Sequence, residues 1–188
     1  MDARDAARLI APGVSGSVSA DLGAGRGTFT IALATLLGPS GRVFAVERDA
    51  SALDTLERLT RRREHDERAV IEVVRANFAT TRLALERMDG ILMANSLHYV
   101  TDDEQAPLLA RLANHLIVAG VLLVVEYDNR PRSRWVPYPV AFGRLTQLAQ
   151  HARLAAPELI GRRESTFGGT MYAALIRQEG ADPSLRSG

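Results

Sequence analysis

The chain has 188 residues, a formal net charge of +1, and is 46% hydrophobic and 24% charged. That size and balance suit one domain with its own core and exclude a disordered tail or a fibre. It contains no cysteine and all 23 basic residues are arginine, which excludes disulfides, thiolate nucleophiles, Cys-ligated metals, Schiff-base lysines and the P-loop lysine.

The two missing residue types read as a codon bias of the source. The near-zero net charge argues against a nucleic-acid binder that relies on bulk electrostatics. The first residues, Met1-Asp2-Ala3-Arg4-Asp5, are charged and no apolar signal core follows them. The longest apolar run, Ile117 to Val125, has nine residues, whereas a membrane helix needs about 20. A soluble cytoplasmic protein, with no membrane partner, is the expectation.

The elements follow in chain order. A short helix, Asp2–Ile10, and a lead-in to residue 16 precede a strand at Ser17–Leu22. A Gly-rich turn follows. Thr28–Leu37 is a helix that stops before Gly38-Pro39. Arg42–Glu47 is a strand. Ser51–Arg63 is an amphipathic helix with Leu53, Leu56 and Leu59 on one side. Ala69–Arg75 and Asp89–Asn95 are strands. Thr101 and Glu104 form a capping box that opens a helix to about Leu116. Val118–Glu126 is apolar without alternation, as in a strand covered on both faces. A helix near Val140–His151 leads to two strands, Glu158–Glu164 and Thr170–Arg177, joined at Gly168-Gly169. The last strand is apolar on both parities, which places it inside the sheet. Residues 179–188 read as a frayed tail. This alternation predicts a single α/β domain over 1–188. Its sheet is doubly wound and mostly parallel, with one antiparallel strand near the end.

The most informative segment is Asp21-Leu22-Gly23-Ala24-Gly25-Arg26-Gly27-Thr28, a strand-to-helix turn where such sheets bind ligands. Its spacing is G-x-G-x-G, and Thr28 stands where the dinucleotide pattern needs its last glycine. Asp21 just before the turn would repel a pyrophosphate and attract an ammonium or sulfonium. Glu47 ends the second strand, 20 residues beyond Gly27. An acid there can accept from both ribose hydroxyls of an adenosine, although a solvated strand end looks the same.

With these residues the chain resembles the class I S-adenosylmethionine-dependent methyltransferases. The resemblance runs from about Leu9 to Arg177. It rests on the Gly-rich segment, on Phe44-Ala45-Val46-Glu47-Arg48-Asp49, on the strand Asp89–Asn95 and on the hairpin-ended sheet. It implies a seven-stranded sheet of order 3-2-1-4-5-7-6 and S-adenosyl-L-methionine as cofactor. It also implies roles for single residues. Asp21 and the backbone of Gly23, Ala24 and Gly25 would hold the methionine end, Glu47 the ribose, and Arg48 the adenine edge. Asn77 replaces the acid that usually meets the adenine amino group, and Phe78 follows it. Asn95 would lie near the reactive methyl, or simply form a turn.

Methyl transfer from a sulfonium needs little beyond a positioned nucleophile. His98 is the candidate base, alongside the reading of a loop histidine that packs or caps. Tyr127, a second catalytic candidate, and Asp128 face the same rim, alongside the reading of a simple strand terminus. His65, His115 and His151 have no partner at ligand spacing, so no metal is expected. The aperiodic segment 127–139 holds three arginines and the only tryptophan. There Trp135 and Tyr138 could wall an acceptor and Arg134 could pair with its carboxylate or phosphate. Arg61-Arg62-Arg63 suits a helix C-terminus.

The main expectation is direct transfer to a small-molecule acceptor. No separate recognition domain is visible, which favours a small acceptor or a second subunit, as in a homodimer, completing the pocket. An RNA acceptor and a non-catalytic cofactor-binding module stay open. An NAD(P) oxidoreductase is disfavoured by the failed third glycine and by the absent Tyr-x-x-x-Lys lysine.

Overall fold

A computed structural model describes residues 1–61, 67–81, 83, 87–165 and 168–180. Arg62, Arg63, His65 and the tail beyond residue 180 lie outside the described residues.

Seven strands form one sheet: β1 (Val18–Leu22), β2 (Arg42–Glu47), β3 (Val70–Arg75), β4 (Met88–Ala94), β5 (Leu116–Tyr127), β6 (Glu158–Glu164) and β7 (Thr170–Arg177). Their order is β3-β2-β1-β4-β5-β7-β6. The first five strands run parallel, and β7 is antiparallel to both β5 and β6. The expected class and order are both present. Among the described residues there are five α-helices: α1 (Ala3–Ile10), which precedes β1, and α2 (Thr28–Leu37), α3 (Ala50–Arg61), α4 (Gln105–Ala113) and α5 (Phe142–His151), which lie between strands.

Side chains alternate along each strand, and both sets are buried in the central strands. On β5, Leu122 and Val124 join one core with Leu109 of α4 and Leu145 of α5. Val121, Leu123 and Val125 join the opposite core with Ile10 of α1 and Leu33 of α2. β7 does the same, with Tyr172, Ala174 and Ile176 on one face and Met171, Ala173 and Leu175 on the other. This explains why neither strand alternates in sequence: each contributes to two cores. α3 lies over β2 and β3, where Ala45 and Leu56 pack together.

Two expectations need correction. The helix over Thr101–Leu116 is shorter than its pattern suggested. The Thr101 hydroxyl donates to the Glu104 carboxylate at 2.7 Å, and α4 begins only at Gln105. The helix ends at Ala113, and Leu116 instead opens β5 by pairing with Met88. Sheet pairing overrides the helical period there. The first part of β5 is also less covered than its apolar run implied, since Val118 is 61% exposed.

β1 pairs with β2 on one side and β4 on the other. The chain therefore winds outward in both directions from the β1–β4 seam. Ligands in open α/β sheets bind at the carboxyl ends of the strands beside such a seam.

Candidate active site

The Gly-rich turn is fixed at both ends. The amides of Gly23 and Ala24 donate to the Val46 carbonyl at 2.9 and 3.1 Å, which ties the turn to β2. The Ser96 hydroxyl donates to the Leu22 carbonyl at 2.7 Å, which ties it to the end of β4. Two glycines are required for different reasons. Gly23 has φ +78, and a Cβ there would lie 2.6 Å from Ser96 Cβ. Gly25 has φ +54 but open space around it, the nearest atom being 4.0 Å away. One glycine permits close packing and the other leaves a cradle.

Glu47 closes the cradle. Its Oε2 accepts from the Gly25 amide at 2.8 Å, and Oε1 accepts from the Arg48 and Asp49 amides at 2.7 and 2.9 Å. Each carboxylate oxygen has two lone-pair sites, so Oε1 is filled by its two amides and Oε2 keeps one site for a hydroxyl donor. Across the cavity, the Asn77 side chain accepts from the Ala79 amide at 3.2 Å. Arg111 holds the same turn by donating to the carbonyls of Phe78 and Ala79 at 3.0 and 2.7 Å.

These loops enclose a cavity of about 620 Å³. Of the residues marked by sequence, Gly23, Ala24, Gly25, Glu47, Arg48, Asn77, Phe78 and Asn95 all line it. Its walls carry three carboxylates, Glu47, Asp49 and Glu104, against one guanidinium, Arg48. That balance favours a cationic ligand and opposes a pyrophosphate.

Asp21, on β1 two residues before Gly23, is 1% exposed and is not among the residues that line the cavity. Thr30 donates to Oδ2 at 2.7 Å, while Oδ1 has no partner. Burial, reinforced by repulsion from Glu47, raises its pKa to about 7 against the opposing Thr30 bond. Asn95 also departs from routine geometry. It has φ 54, uncommon for a residue with a side chain, and its Oδ1 is buried with no partner.

His98 sits elsewhere than on the cavity wall. It is 2% exposed, in a 3₁₀ turn at Leu97–Tyr99. Its ring Nδ1 lies 2.7 Å from Oε2 of the fully buried Glu126, and its backbone amide donates to Oε1 at 3.1 Å. Its carbonyl accepts from the Tyr138 amide at 3.0 Å. The histidine thus pins the end of β4 to the end of β5. With Nδ1 engaged by Glu126, Nε2 is the ring nitrogen left to take a proton.

The aperiodic segment does not reach the cavity either. Ser133 and Val136 pair across a tight turn that buries Val136 and leaves Trp135 65% exposed. Three guanidiniums stack on rings in this region. Arg134 lies 4.6 Å from the Trp135 ring centroid, Arg132 lies 4.7 Å from that of Tyr138, and Arg130 lies 4.7 Å from that of Tyr127. Asp128 is held by the Arg162 guanidinium and accepts from the Phe142 amide at 2.9 Å.

Several residues here escaped the sequence reading. Ser96, Tyr99, Asp49 and Glu104 line the cavity, and Glu126 holds His98. Ser96 and Tyr99 flank His98 directly after β4, so proximity to a strand end was their available signal. Glu126 carried none, because it closes an apolar strand.

The seam, the sheet order and the Gly-cradle facing a carboxylate together define the class I methyltransferase architecture. Residues 20–120 match the family model described as a methyltransferase domain. The chain belongs to that family, as a class I enzyme whose methyl donor is S-adenosylmethionine. No curated protein matches the sequence. Among solved structures, the fold is similar to the glycopeptide N-methyltransferase MtfA complexed with S-adenosyl-L-methionine. The TM-score is 0.72 at 16% identity, over 95% of this chain and 88% of that one. It is similar to the CcbJ methyltransferase from Streptomyces caelestis, with TM-score 0.72 and 20% identity over 94% and 89% of the chains. It is also similar to the mitomycin 7-O-methyltransferase MmcR, with TM-score 0.66 and 21% identity. That match covers 93% of this chain and 53% of MmcR, so the chain spans about half of that protein's length.

Proposed function

We propose that the chain transfers the methyl group of S-adenosylmethionine directly to a small-molecule acceptor. The observation that carries this is the cavity's charge: a wall with three carboxylates, Glu47, Asp49 and Glu104, against one guanidinium, Arg48. When bound, the donor supplies an electrophilic methyl on a sulfonium. Asp21 is suited to its ammonium, and Glu47 to ribose hydroxyls while it keeps the Gly-rich turn in place. Asn77 and Phe78 line the same cavity. Solved neighbours are consistent with a small acceptor, since one is a mitomycin O-methyltransferase and another a glycopeptide N-methyltransferase.

For an acceptor that must lose a proton, His98 Nε2 is the candidate base and Glu126 its positioning residue. His98 stands behind two rings that face the cavities. Its ring centroid is 4.4 Å from that of Tyr99 and 6.3 Å from that of Tyr127. A second reading, an RNA acceptor, is favoured by one feature, the exposed Arg132–Trp135 turn, because aromatic and guanidinium faces stack on bases.

The test is transfer of a labelled methyl group to a panel of small phenols, amines and acids, with a short RNA as comparison. Incorporation into a small acceptor supports the proposal. Incorporation only into RNA, with affinity falling steeply in salt, overturns it in favour of the second reading.

A further inference from the structure

The turn from Ser133 to Val136 is pre-formed. The two residues exchange backbone hydrogen bonds at 3.0 and 3.2 Å, and Val136 is buried beneath them. Arg132, Arg134 and Trp135 are exposed, Trp135 by 65%. The two guanidiniums stack on the Tyr138 and Trp135 rings, and neither has an ion-pair partner among the described residues. The turn lines neither the large cavity nor a smaller one of about 240 Å³ bordered by Tyr127 and Met171. A ligand in either space leaves it bare.

The opposite charge stands next to it. Asp102, Asp103 and Glu104 are all exposed, just before α4. Gln105, the first residue of α4, is fully buried, and its Nε2 donates to the carbonyls of Val100 and Tyr138 at 3.2 and 3.3 Å. These bonds fasten the acidic loop to the end of the basic segment. Arg144 donates to the backbone carbonyl of Asp102 at 3.1 Å, and neither Asp102 nor Asp103 has an ion-pair partner among the described residues.

Tryptophan, tyrosine and arginine dominate the energetics of protein–protein interfaces, and a pre-formed turn loses little entropy when it docks. A polynucleotide would meet carboxylates beside the guanidiniums, and these repel its phosphates. A face that carries both signs side by side complements itself under a two-fold rotation.

We infer that this face is a homodimer interface, in which the Arg132–Trp135 turn of each copy docks on Asp102 and Asp103 of the other and Trp135 is covered by the partner. The occupant is a second copy of this chain because both halves of the charge match are present on one copy. Glu104, which follows Asp103, lines the large cavity, so the interface borders that cavity.

Sedimentation equilibrium of the full chain over a dilution series in low salt is the test. The parent is expected to approach the mass of two chains at the concentrated end and to dissociate as salt is raised. Arg132→Glu with Arg134→Glu sets acid against acid, and Asp102→Arg with Asp103→Arg sets base against base. Each double variant is expected to stay monomeric. Mixed in equal amounts, the two are expected to form a heterodimer, because both of its contacts again join opposite charges. Trp135→Ala is expected to weaken the parent's association at least about tenfold. Thermal melts check that each variant is folded. If a reversal does not fold, Arg132→Ala with Arg134→Ala, or Asp102→Asn with Asp103→Asn, takes its place and is expected to weaken association at least about tenfold. A parent that is monomeric at every concentration overturns the inference, as does a dimer that survives either reversal, or reversed variants that stay apart when mixed. Binding of a single-stranded RNA that Arg132→Glu with Arg134→Glu abolishes, and that Asp102→Arg with Asp103→Arg does not weaken, also overturns it, by giving the turn to nucleic acid.

Discussion

The Gly25 amide donates to Glu47 Oε2 at 2.8 Å, joining two loops 22 residues apart in sequence. One carboxylate thus holds the turn that must stay open and keeps one lone-pair site on Oε2 for a ribose hydroxyl. Glu47→Gln replaces one of two acceptor oxygens with a donor, although three backbone amides point at the group. The variant should fold and bind S-adenosylhomocysteine about 10- to 100-fold more weakly. Isothermal calorimetry measures this.

The two glycines of the cradle should separate stability from binding. Gly23→Ala places a Cβ 2.6 Å from Ser96 Cβ on a backbone with φ +78. It should cost about 2 to 4 kcal/mol of stability, as overpacking and strain combine. Gly25→Ala meets nothing nearer than 4.0 Å and should cost only about 1 to 2 kcal/mol. Its methyl projects into the cradle, so its loss of product affinity should exceed what its stability predicts. Urea titration and calorimetry on both variants check the contrast.

Asp21 should make both stability and donor binding depend on pH, with opposite signs. Burial raises its folded pKa from 3.8 to about 7. The folded state therefore keeps a proton that the unfolded chain releases. Its contribution to stability is fully present below pH 3.8 and is lost as pH rises through about 7. The ionised form is the one that holds an ammonium, so product affinity should rise between about pH 6 and 8. Asp21→Asn should flatten both trends. Affinity that rises equally in parent and variant would remove Asp21 from the donor site.

His98 and Glu126 should matter first to the fold. Both are buried, and together they tie β4 to β5. Glu126→Leu should destabilise the protein by about 3 kcal/mol, because it leaves the His98 ring and amide without their partner. Denaturant midpoints for this variant and for His98→Gln measure the effect. In a working assay, a base role adds a change in the pH profile of kcat that a purely structural pin does not produce.

Trp135→Ala and Arg134→Ala should leave stability within about 0.5 kcal/mol of the parent, as exposed sites do, and leave product affinity unchanged. None of the residues from Ser133 to Val136 lines either cavity. Thermal melts and calorimetry check this.

The sheet was legible because its central strands announce themselves twice. β5 and β7 are apolar on both parities, and the structure buries both parities against separate helices. The donor side of the site was legible for a related reason: a glycine at positive φ and a carboxylate at a strand end are requirements of local geometry. Glu126 was illegible because a charge at the end of an apolar strand looks solvated until a buried histidine 28 residues earlier in sequence folds against it. Trp135 misled in the opposite direction. A lone tryptophan in a long connection suggests a wall, but the Ser133–Val136 pairing turns Val136 inward and Trp135 outward. The α4 boundary was missed because sheet pairing at Leu116 outweighs helical periodicity, a long-range effect that no local window contains.

The central claim is that the carboxylate-walled cavity at the β1–β4 seam binds the methyl donor. Calorimetry of the parent protein with S-adenosylhomocysteine and with NADH tests it most directly, with Glu47→Ala as control. The account predicts one-to-one binding of S-adenosylhomocysteine, no binding of NADH, and loss of the former in Glu47→Ala. Binding of NADH in place of S-adenosylhomocysteine, or equal binding of the product by parent and variant, would contradict it.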